Sequence, residues 1–363
     1  MEEKIPMNRA RIRDLGINLG TLPVGTNNAI TDVPGVLVGQ VTVIQEQPVV
    51  ARTGITIITP RDGAIGHDNA FAGFHRFNGC GEMTGIQWVE ETGLLSSAIA
   101  LTNTAEIGMV RDALAEYSYM QNESGPFNLP VVAETYDGWL SDISGQPLTL
   151  ADVIQALHIA RSGPVDEGDV GGGTGMICHD FKGGIGTSSR VIETKSGQFI
   201  VGALVQTNYG ERAQLRVDGV PVGREIGYDR VASPWETPPE MSSIIVVIAT
   251  DAPLLAGQCR RLAQRATSGL ARVGGIGTNS SGDMFLAFAT GQHIPARADA
   301  PIPLNAMIPN GHLNPFFEAT AEAVEESILN ALCAADTMIG RQGHTAVALP
   351  LDDLKRVMAK YGR

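Results

Sequence analysis

The chain has 363 residues, of which 43% are hydrophobic and 18% are charged, and its formal net charge is −13 at pH 7. This length and composition are typical of a globular protein with one large domain or two modest ones, and they exclude a largely disordered chain. The acidic balance, without a long basic run, argues against a nucleic acid as a partner.

Cysteine usage and hydropathy narrow the class of protein further. The four cysteines lie far apart without CxxC spacing, which predicts reduced, mostly buried thiols rather than a zinc site or a disulfide framework. No apolar run reaches the ~18–20 residues that span a bilayer, and the first residues lack the apolar core of a signal peptide. We therefore expect a cytoplasmic protein with no membrane segment. The 43 glycines, many of them in clusters, favour an α/β or α+β enzyme over a helical bundle.

The first two-thirds of the chain alternate short apolar runs with glycine-rich turns. These runs predict strands of a buried or half-buried sheet, at residues 36–43, 54–59, 131–133 and 199–206. Helical patterns lie between them at 105–120 and 150–161, and Thr149 is a candidate cap for the second helix.

A change of composition marks the last third. The segment 233–242, SPWETPPEMS, is rich in proline and polar residues and is not expected to form regular structure. The apolar run IIVVIA at 244–249 follows and predicts a buried strand. The pattern then predicts a helix at 251–272, a strand at 284–289, a helix at 314–338 and a short helix at 352–361.

Ser242 and Ser243 occupy the junction between the polar loop and the strand. A loop that runs directly into a central strand suits an N-terminal-nucleophile hydrolase, because the scissile bond is strained and exposed before cleavage and the new N-terminus is held rigidly afterwards. If the chain is cut before Ser243, the released α-amino group has a reference pKa of roughly 7.7–8.0 and can take the proton of the serine hydroxyl. On layout alone, an ordinary surface loop explains the segment more simply.

Other polar clusters stand at predicted strand ends. In the turn before the strand at 284–289, Asp283 could orient the hydroxyl of Ser281 in a proton relay. After the strand at 131–133, Glu134 could bind a substrate ammonium and Tyr136 could line the same cleft, and Asn208 could donate to an oxyanion. Each cluster also fits a turn whose side chains bond their own backbone.

Two further signals are weak. The glycine cluster at 171–175 departs from GxGxxG and follows no clear strand, so a dinucleotide site is not expected. His67, His75 and His179 show no paired-ligand spacing, so neither a metal nor another cofactor is expected.

Several ordered segments together resemble the L-aminopeptidase D-Ala-esterase/amidase family, which includes the β-peptidyl aminopeptidases. The resemblance covers nearly the whole chain. It rests on NNAITDVPGVLVGQVT, NGCGEMTG, LTNT, AETYDGWLSD, GDVGGGTGMICHDFKGGIGTSSR, VQTNYG, SSIIVVIATDAPLL and NSSGDMFLAFAT.

This resemblance implies a four-layer α/β/β/α sandwich, shared with the ornithine acetyltransferases, and a single catalytic domain over residues 1–363. The family is made as a precursor that cleaves itself, which here implies an α subunit of residues 1–242 and a β subunit of residues 243–363. The implied nucleophile is Ser243. A cut one bond earlier, before Ser242, stays open because the family often has glycine or asparagine at position 242.

The resemblance also implies roles for the polar clusters. Ser281 and Asp283 match the family's two helper positions, although some relatives have glutamate at the second. Tyr136 and Asn208 match positions linked to stabilisation of the transition state and the oxyanion, and Glu134 matches the position that holds the substrate amino group.

The expected activity is hydrolysis of N-terminal residues from small peptides, amides or esters, with L-amino-acid, D-alanine or β-amino-acid substrates all open. The expected partners are these substrates, the two cleaved subunits and further copies in a homo-oligomer, a tetramer of αβ units. An acyltransferase on the same fold is the alternative, although such enzymes usually present a threonine. A non-catalytic member that binds a small molecule is a third possibility, which the intact Ser243, Ser281 and Asp283 disfavour.

Overall fold

A computed structural model describes residues 9–63, 65–121, 129–195, 197–236, 242–304 and 306–363 of the chain. The strands are β1 (Leu37–Gln45), β2 (Ala51–Thr59), β3 (Asp68–Gly79), β4 (Leu94–Leu95), β5 (Ile99–Asn103), β6 (Val131–Thr135), β7 (Ile177–Cys178), β8 (Phe181–Lys182), β9 (Ile185–Thr194), β10 (Gly197–Asn208), β11 (Ser242–Thr250), β12 (Ser281–Pro295), β13 (Met338–Ile339) and β14 (Thr345–Ala346). The α-helices are α1 (Ile86–Thr92), α2 (Ile107–Met120), α3 (Leu150–His158), α4 (Val222–Glu225), α5 (Ala256–Val273), α6 (Asn314–Ala334) and α7 (Leu351–Lys360).

Two sheets form the centre of the molecule. One has four strands in the order β1-β2-β5-β6, and the other has six in the order β4-β3-β12-β11-β10-β9. Pairing is antiparallel except between β5 and β6 and between β11 and β12, which run parallel. The central position of β11 explains its unbroken apolar sequence, because both faces of a strand inside a covered sheet are buried.

Successive side chains of β11 point to opposite faces of the sheet and show how the layers are stacked. Ile245 and Val247 lie in the core between the two sheets, with Leu101 of the facing sheet. The intervening Val246 lies in a second core, which the six-stranded sheet shares with Leu262 of α5 and with residues of α6.

A third core covers the outer face of the four-stranded sheet, where Ile55 and Ile57 of β2 pack against Val110 of α2 and Val153 of α3. The layers therefore run helix, sheet, sheet, helix. The expected α/β/β/α sandwich is confirmed.

The predicted elements all exist, but several bounds differ. Thr149 caps α3 as predicted and accepts a hydrogen bond from the Asp152 N–H. The helix predicted from residue 251 begins at Ala256 instead, because the Asp251 carboxylate accepts a 2.7 Å hydrogen bond from the main chain of β10 and so remains with the sheet. At the other end, α6 stops at Ala334, and the residues beyond it turn back to form β13.

One boundary error concerns the site. Ser242, expected in the irregular segment 233–242, is the first residue of β11, where it pairs with Ser281. Ser243 is only 4% exposed, whereas Ser242 is half-buried and lines a cavity, so the Ser242–Ser243 bond is open only on its Ser242 side. Residues 237–241 of the same segment lie outside the described part.

In the described part of the chain, no helix is both long and apolar enough to cross a membrane.

Candidate active site

Three neighbouring strands bring Ser243, Asn208, Ser281 and Asp283 to one level of the six-stranded sheet. Ser243 of β11 pairs with Asn208 at the end of β10 on one side and with Gly282 of β12 on the other. Ser281 and Asp283 flank Gly282, so both stand beside Ser243. This register brings together residues that are more than 30 positions apart in the sequence.

Side chains in this cluster face opposite sides of the sheet. Side chains alternate between the two faces along a strand, so Ser243 and Asn208 lie on the same face as Ile245 and Leu204, which face the four-stranded sheet. By the same alternation, Ser281 and Asp283 lie on the same face of β12 as Phe285, which faces the helices. The serine hydroxyl and the Ser281–Asp283 pair therefore flank the main chain of Ser243 from opposite faces.

The Ser281 hydroxyl donates a 2.6 Å hydrogen bond to the Asp283 carboxylate, and both side chains are buried. Burial raises the pKa of Asp283 to about 6, and this rise is partly offset by Ser281 and by the main-chain N–H of Ile244. The contact with Ile244 puts the carboxylate next to the Ser243–Ile244 peptide. Asp283 therefore lies beside the main chain of Ser243, on its carbonyl side.

The side-chain amide of Asn208 is held at both ends. Its Oδ1 accepts a 2.9 Å hydrogen bond from the Ile177 N–H, and its Nδ2 donates a 2.9 Å hydrogen bond to the Tyr136 carbonyl oxygen. These contacts fix the amide plane and leave one Nδ2 hydrogen for an acceptor in the site.

A cavity of about 370 Å³ opens beside these residues. Tyr136, Asn208 and Ser242 line it, together with the aromatic walls Trp139 and Trp235. Since Ser242 lines the cavity and Ser243 is buried, the space lies on the Ser242 side of the Ser242–Ser243 bond. A volume of this size accommodates a small peptide or amide rather than a folded protein segment.

Glu134 lies at the end of β6, outside the lining of this cavity. Its carboxylate accepts hydrogen bonds from the Glu82 N–H at 3.0 Å and from the Thr104 hydroxyl, and burial raises its pKa. A Cβ added at Gly81 would lie 3.1 Å from Glu134 Oε1 and 3.2 Å from the Gly282 Cα. Only the Gly81 main chain therefore separates Glu134 from the strand that adjoins Ser243.

Metal-binding side chains are not clustered in the described ranges, where no group of three or more His, Cys, Asp or Glu could hold an ion. His179 is fully buried, and this burial lowers its pKa to about 4, so the ring is neutral. Its Nδ1 contacts the Glu211 carbonyl oxygen at 3.0 Å.

Comparison with known proteins identifies the family to which this arrangement belongs. The model of peptidase family S58 matches residues 28–346. The chain belongs to peptidase family S58.

Relatives of this S58 peptidase are aminopeptidases. A β-peptidyl aminopeptidase of Sphingosinicella microcystinivorans is 43% identical over 97% of this chain and 93% of its own length. The solved structure of a Burkholderia sp. β-aminopeptidase has a TM-score of 0.92 at 50% identity and covers 98% of this chain and 99% of that one. The L-aminopeptidase D-Ala-esterase/amidase of Ochrobactrum anthropi, described as a variant of the N-terminal-nucleophile hydrolase fold, has a TM-score of 0.90 at 43% identity and covers 97% of this chain and 99% of that one.

The predicted family and the predicted enzyme class are thus confirmed: the S58 peptidase is an aminopeptidase, and therefore a hydrolase. The acyltransferase alternative is not favoured, because these relatives are aminopeptidases.

Sequence reasoning missed the aromatic cavity walls and the buried Lys182. Trp139 was visible within AETYDGWLSD, only three residues after Tyr136, and tryptophan is rare in this chain. Lys182 lies in the glycine-rich segment 168–190, where no local pattern indicates a role for the lysine.

Proposed function

We propose that this S58 aminopeptidase cleaves its own chain before Ser243 and then uses Ser243 as its nucleophile. The observation that carries the proposal is the register of β10, β11 and β12, in which Ser243 lies between Asn208 and Gly282. A polar amide on one side and the Ser281–Asp283 pair on the other supply what acyl transfer needs around a serine.

This geometry supports self-cleavage by the following steps. The Ser243 hydroxyl attacks the Ser242 carbonyl carbon, the C–N bond of the peptide breaks, and the Ser243 nitrogen takes the proton and becomes a free amine. Water then hydrolyses the resulting ester and releases the Ser242 carboxylate. The cavity beside Ser242 supports this order, since it leaves room on the carbonyl side of the bond.

In the cut enzyme the α-amine of Ser243 takes the hydroxyl proton as the oxygen attacks the substrate carbonyl. Nδ2 of Asn208 and the hydroxyl of Tyr136 stabilise the oxyanion, and the proton passes from the ammonium to the leaving amine. Water repeats the sequence on the acyl-enzyme. The Ser281–Asp283 pair stabilises the positive charge on the α-amine, and Glu134 holds the substrate ammonium.

We propose small peptides, amino-acid amides or esters as substrates, drawn from L-amino acids, D-alanine derivatives or β-amino acids. The relatives' activities and the cavity size support this class. Aminoacyl p-nitroanilides of L-, D- and β-configuration, compared by kcat/KM, discriminate among these classes.

The whole chain is proposed to act as one catalytic domain in which fragments 1–242 and 243–363 stay associated. The six-stranded sheet supports this, because it interleaves β11 and β12 of the smaller fragment with β3, β9 and β10 of the larger. Assembly into a homo-oligomer, a tetramer of αβ units, stays a prediction that sedimentation equilibrium tests. A cytoplasmic location stays a prediction that cell fractionation tests.

The deciding experiment is the mass and N-terminal sequence of the purified fragments. We expect pieces of 242 and 121 residues, the smaller beginning Ser-Ile-Ile-Val. Ser243→Ala should remain one chain and hydrolyse nothing, while Ser242→Ala should still be cut. A smaller fragment that begins at Ser242 moves the nucleophile by one residue, and full activity in an unbroken chain refutes the proposal.

A further inference from the structure

Lys182, at the end of β8, is a buried cation close to the site. Its side chain is 0% exposed, and Nζ donates hydrogen bonds to the carbonyl oxygens of Gly173 at 3.3 Å, Met176 at 2.9 Å and Gly183 at 2.8 Å. An ammonium has three hydrogens, so these contacts use all of them. Every acceptor is a neutral carbonyl rather than a carboxylate, which leaves the positive charge uncompensated by direct pairing.

One of these acceptors leads directly to Asn208. The carbonyl group of Met176 and the N–H of Ile177 belong to the same peptide unit. The carbonyl accepts from Lys182, and the N–H donates to Asn208 Oδ1 at 2.9 Å. An unbroken series therefore runs from the ammonium, through one peptide group and the Asn208 amide, to the Nδ2 hydrogen that the Tyr136 carbonyl oxygen does not use.

Each link in such a series polarises the next in the same direction. A cation on the Met176 carbonyl oxygen draws electron density through the peptide and makes the Ile177 N–H a stronger donor. That donor in turn polarises the Asn208 amide, so its Nδ2–H becomes a stronger donor to a developing oxyanion. A neutral side chain at position 182 could fill the same space but could not supply this polarisation.

We propose that Lys182 is a positioning residue that fixes and polarises the Asn208 amide for stabilisation of the oxyanion. The inference rests on the proposed role of Asn208 in the reaction. Burial lowers the pKa of Lys182 to about 8, so the ammonium form still dominates at neutral pH.

The test uses Lys182→Met, which keeps the length of the side chain and removes the charge. We expect kcat to fall about tenfold or more, less than the roughly 10²–10³-fold loss on removing an oxyanion donor itself, with KM nearly unchanged. Lys182→Arg, which keeps the charge, should recover part of kcat. Arg61→Met is the matched control, because the buried Arg61 also donates to main-chain carbonyls, including that of Thr290, about 23 Å along β12 from Asp283. It should lower the melting temperature and leave kcat unchanged.

Asn208→Ala separates this inference from the proposed function. In that background Lys182→Met should change kcat less than twofold, since the group that it polarises is gone. An equal kcat loss with and without Asn208, or a Lys182→Met enzyme with wild-type kcat, overturns the inference and leaves the role of Asn208 intact. Wild-type kcat in Asn208→Ala instead refutes the oxyanion assignment itself.

If Lys182→Met does not accumulate as folded, cut protein, Lys182→Gln and Lys182→Arg decide the matter. Both keep N–H donors, and only arginine keeps the charge. We expect kcat of the glutamine variant to be at least fivefold below that of the arginine variant, with the rate of self-cleavage following the same order. Equal rates in the two variants contradict the inference.

Discussion

Asp283 accepts a 2.6 Å hydrogen bond from Ser281 and lies on the face of the six-stranded sheet opposite the Ser243 side chain. The pair therefore lies beside the main chain of Ser243 rather than beside its hydroxyl; the carboxylate contacts the Ile244 N–H, and we propose that it acts on the main-chain nitrogen of Ser243. In the uncut chain this nitrogen is a neutral amide, so the buried carboxylate has no cation to stabilise it. Cleavage would convert the same nitrogen into an amine that can carry a positive charge.

The stability of the uncut chain should depend on the charge of Asp283. Its pKa is raised from 3.8 to about 6 in the folded state, so protonation favours folding. The stabilisation is complete below the unfolded pKa and is lost as pH rises through about 6. We compare Ser243→Ala with Ser243→Ala/Asp283→Asn by urea unfolding. The stability difference between the two should shift by about 1.4 kcal/mol in favour of the asparagine variant between pH 5 and pH 8. A pH-independent difference would exclude the raised pKa.

Asp283→Asn should stabilise the uncut chain above about pH 6 but should lower the activity of the cut enzyme. Loss of the carboxylate removes support for the charged α-amine, so kcat should fall by roughly 10²–10⁴-fold, while KM changes far less. Asp283→Glu keeps the charge, so it should keep much of kcat. Near-wild-type kinetics in folded, cut Asp283→Asn protein would remove Asp283 from the mechanism.

Much of this site could be predicted from the sequence because its residues stand at strand ends. The apolar run of β11 and the polar turn before β12 locate Ser243, Ser281 and Asp283 to within a residue or two. The register between the two strands could not be predicted, because helix α5 separates them in the sequence. Without the register, the sequence does not indicate that the side chains of Ser243 and Asp283 lie on opposite faces of the sheet.

Strand β9 was missed for a related reason. It carries Arg190 and two serines where a buried strand is expected to be apolar, so its pattern is typical of an exposed segment. Its charge is matched by Glu322 and Glu326 of α6, more than 130 residues further along the chain. Because the glutamates that neutralise Arg190 are so far away in the sequence, no local pattern indicates that β9 is buried.

Glu134→Gln should affect substrate binding rather than the chemical step. If the carboxylate pairs with a substrate ammonium, its loss should raise KM about 10–100-fold, as expected for a charged hydrogen bond worth roughly 1.5–3 kcal/mol. N-acetylated substrates, already poor, should lose little more. Glu82→Gln is the control, because Glu82 is an exposed neighbouring carboxylate whose main-chain N–H holds Glu134. Equal effects of the two substitutions would indicate a general effect of charge and rule out specific pairing by Glu134.

Arg190 should hold the two fragments together after cleavage. It lies in the larger fragment, and its fully buried guanidinium bonds Glu322 Oε2 at 2.9 Å and Glu326 Oε2 at 2.7 Å in the smaller one. Arg190→Met leaves carboxylates buried with fewer partners, which costs about 3–5 kcal/mol.

The cut Arg190→Met enzyme should therefore lose activity and separate into fragments at a lower urea concentration than the wild type, as measured by size-exclusion chromatography. Arg230→Met is the matched control: Arg230 pairs with Asp353 across the same cut, but its side chain is 56% exposed, and an exposed ion pair contributes little to stability. In the uncut Ser243→Ala background, Arg190→Met should still destabilise the fold, yet the halves cannot separate. If Arg190→Met and Arg230→Met shift the dissociation midpoint of the cut enzyme equally, burial of the ion pair is not what joins the fragments.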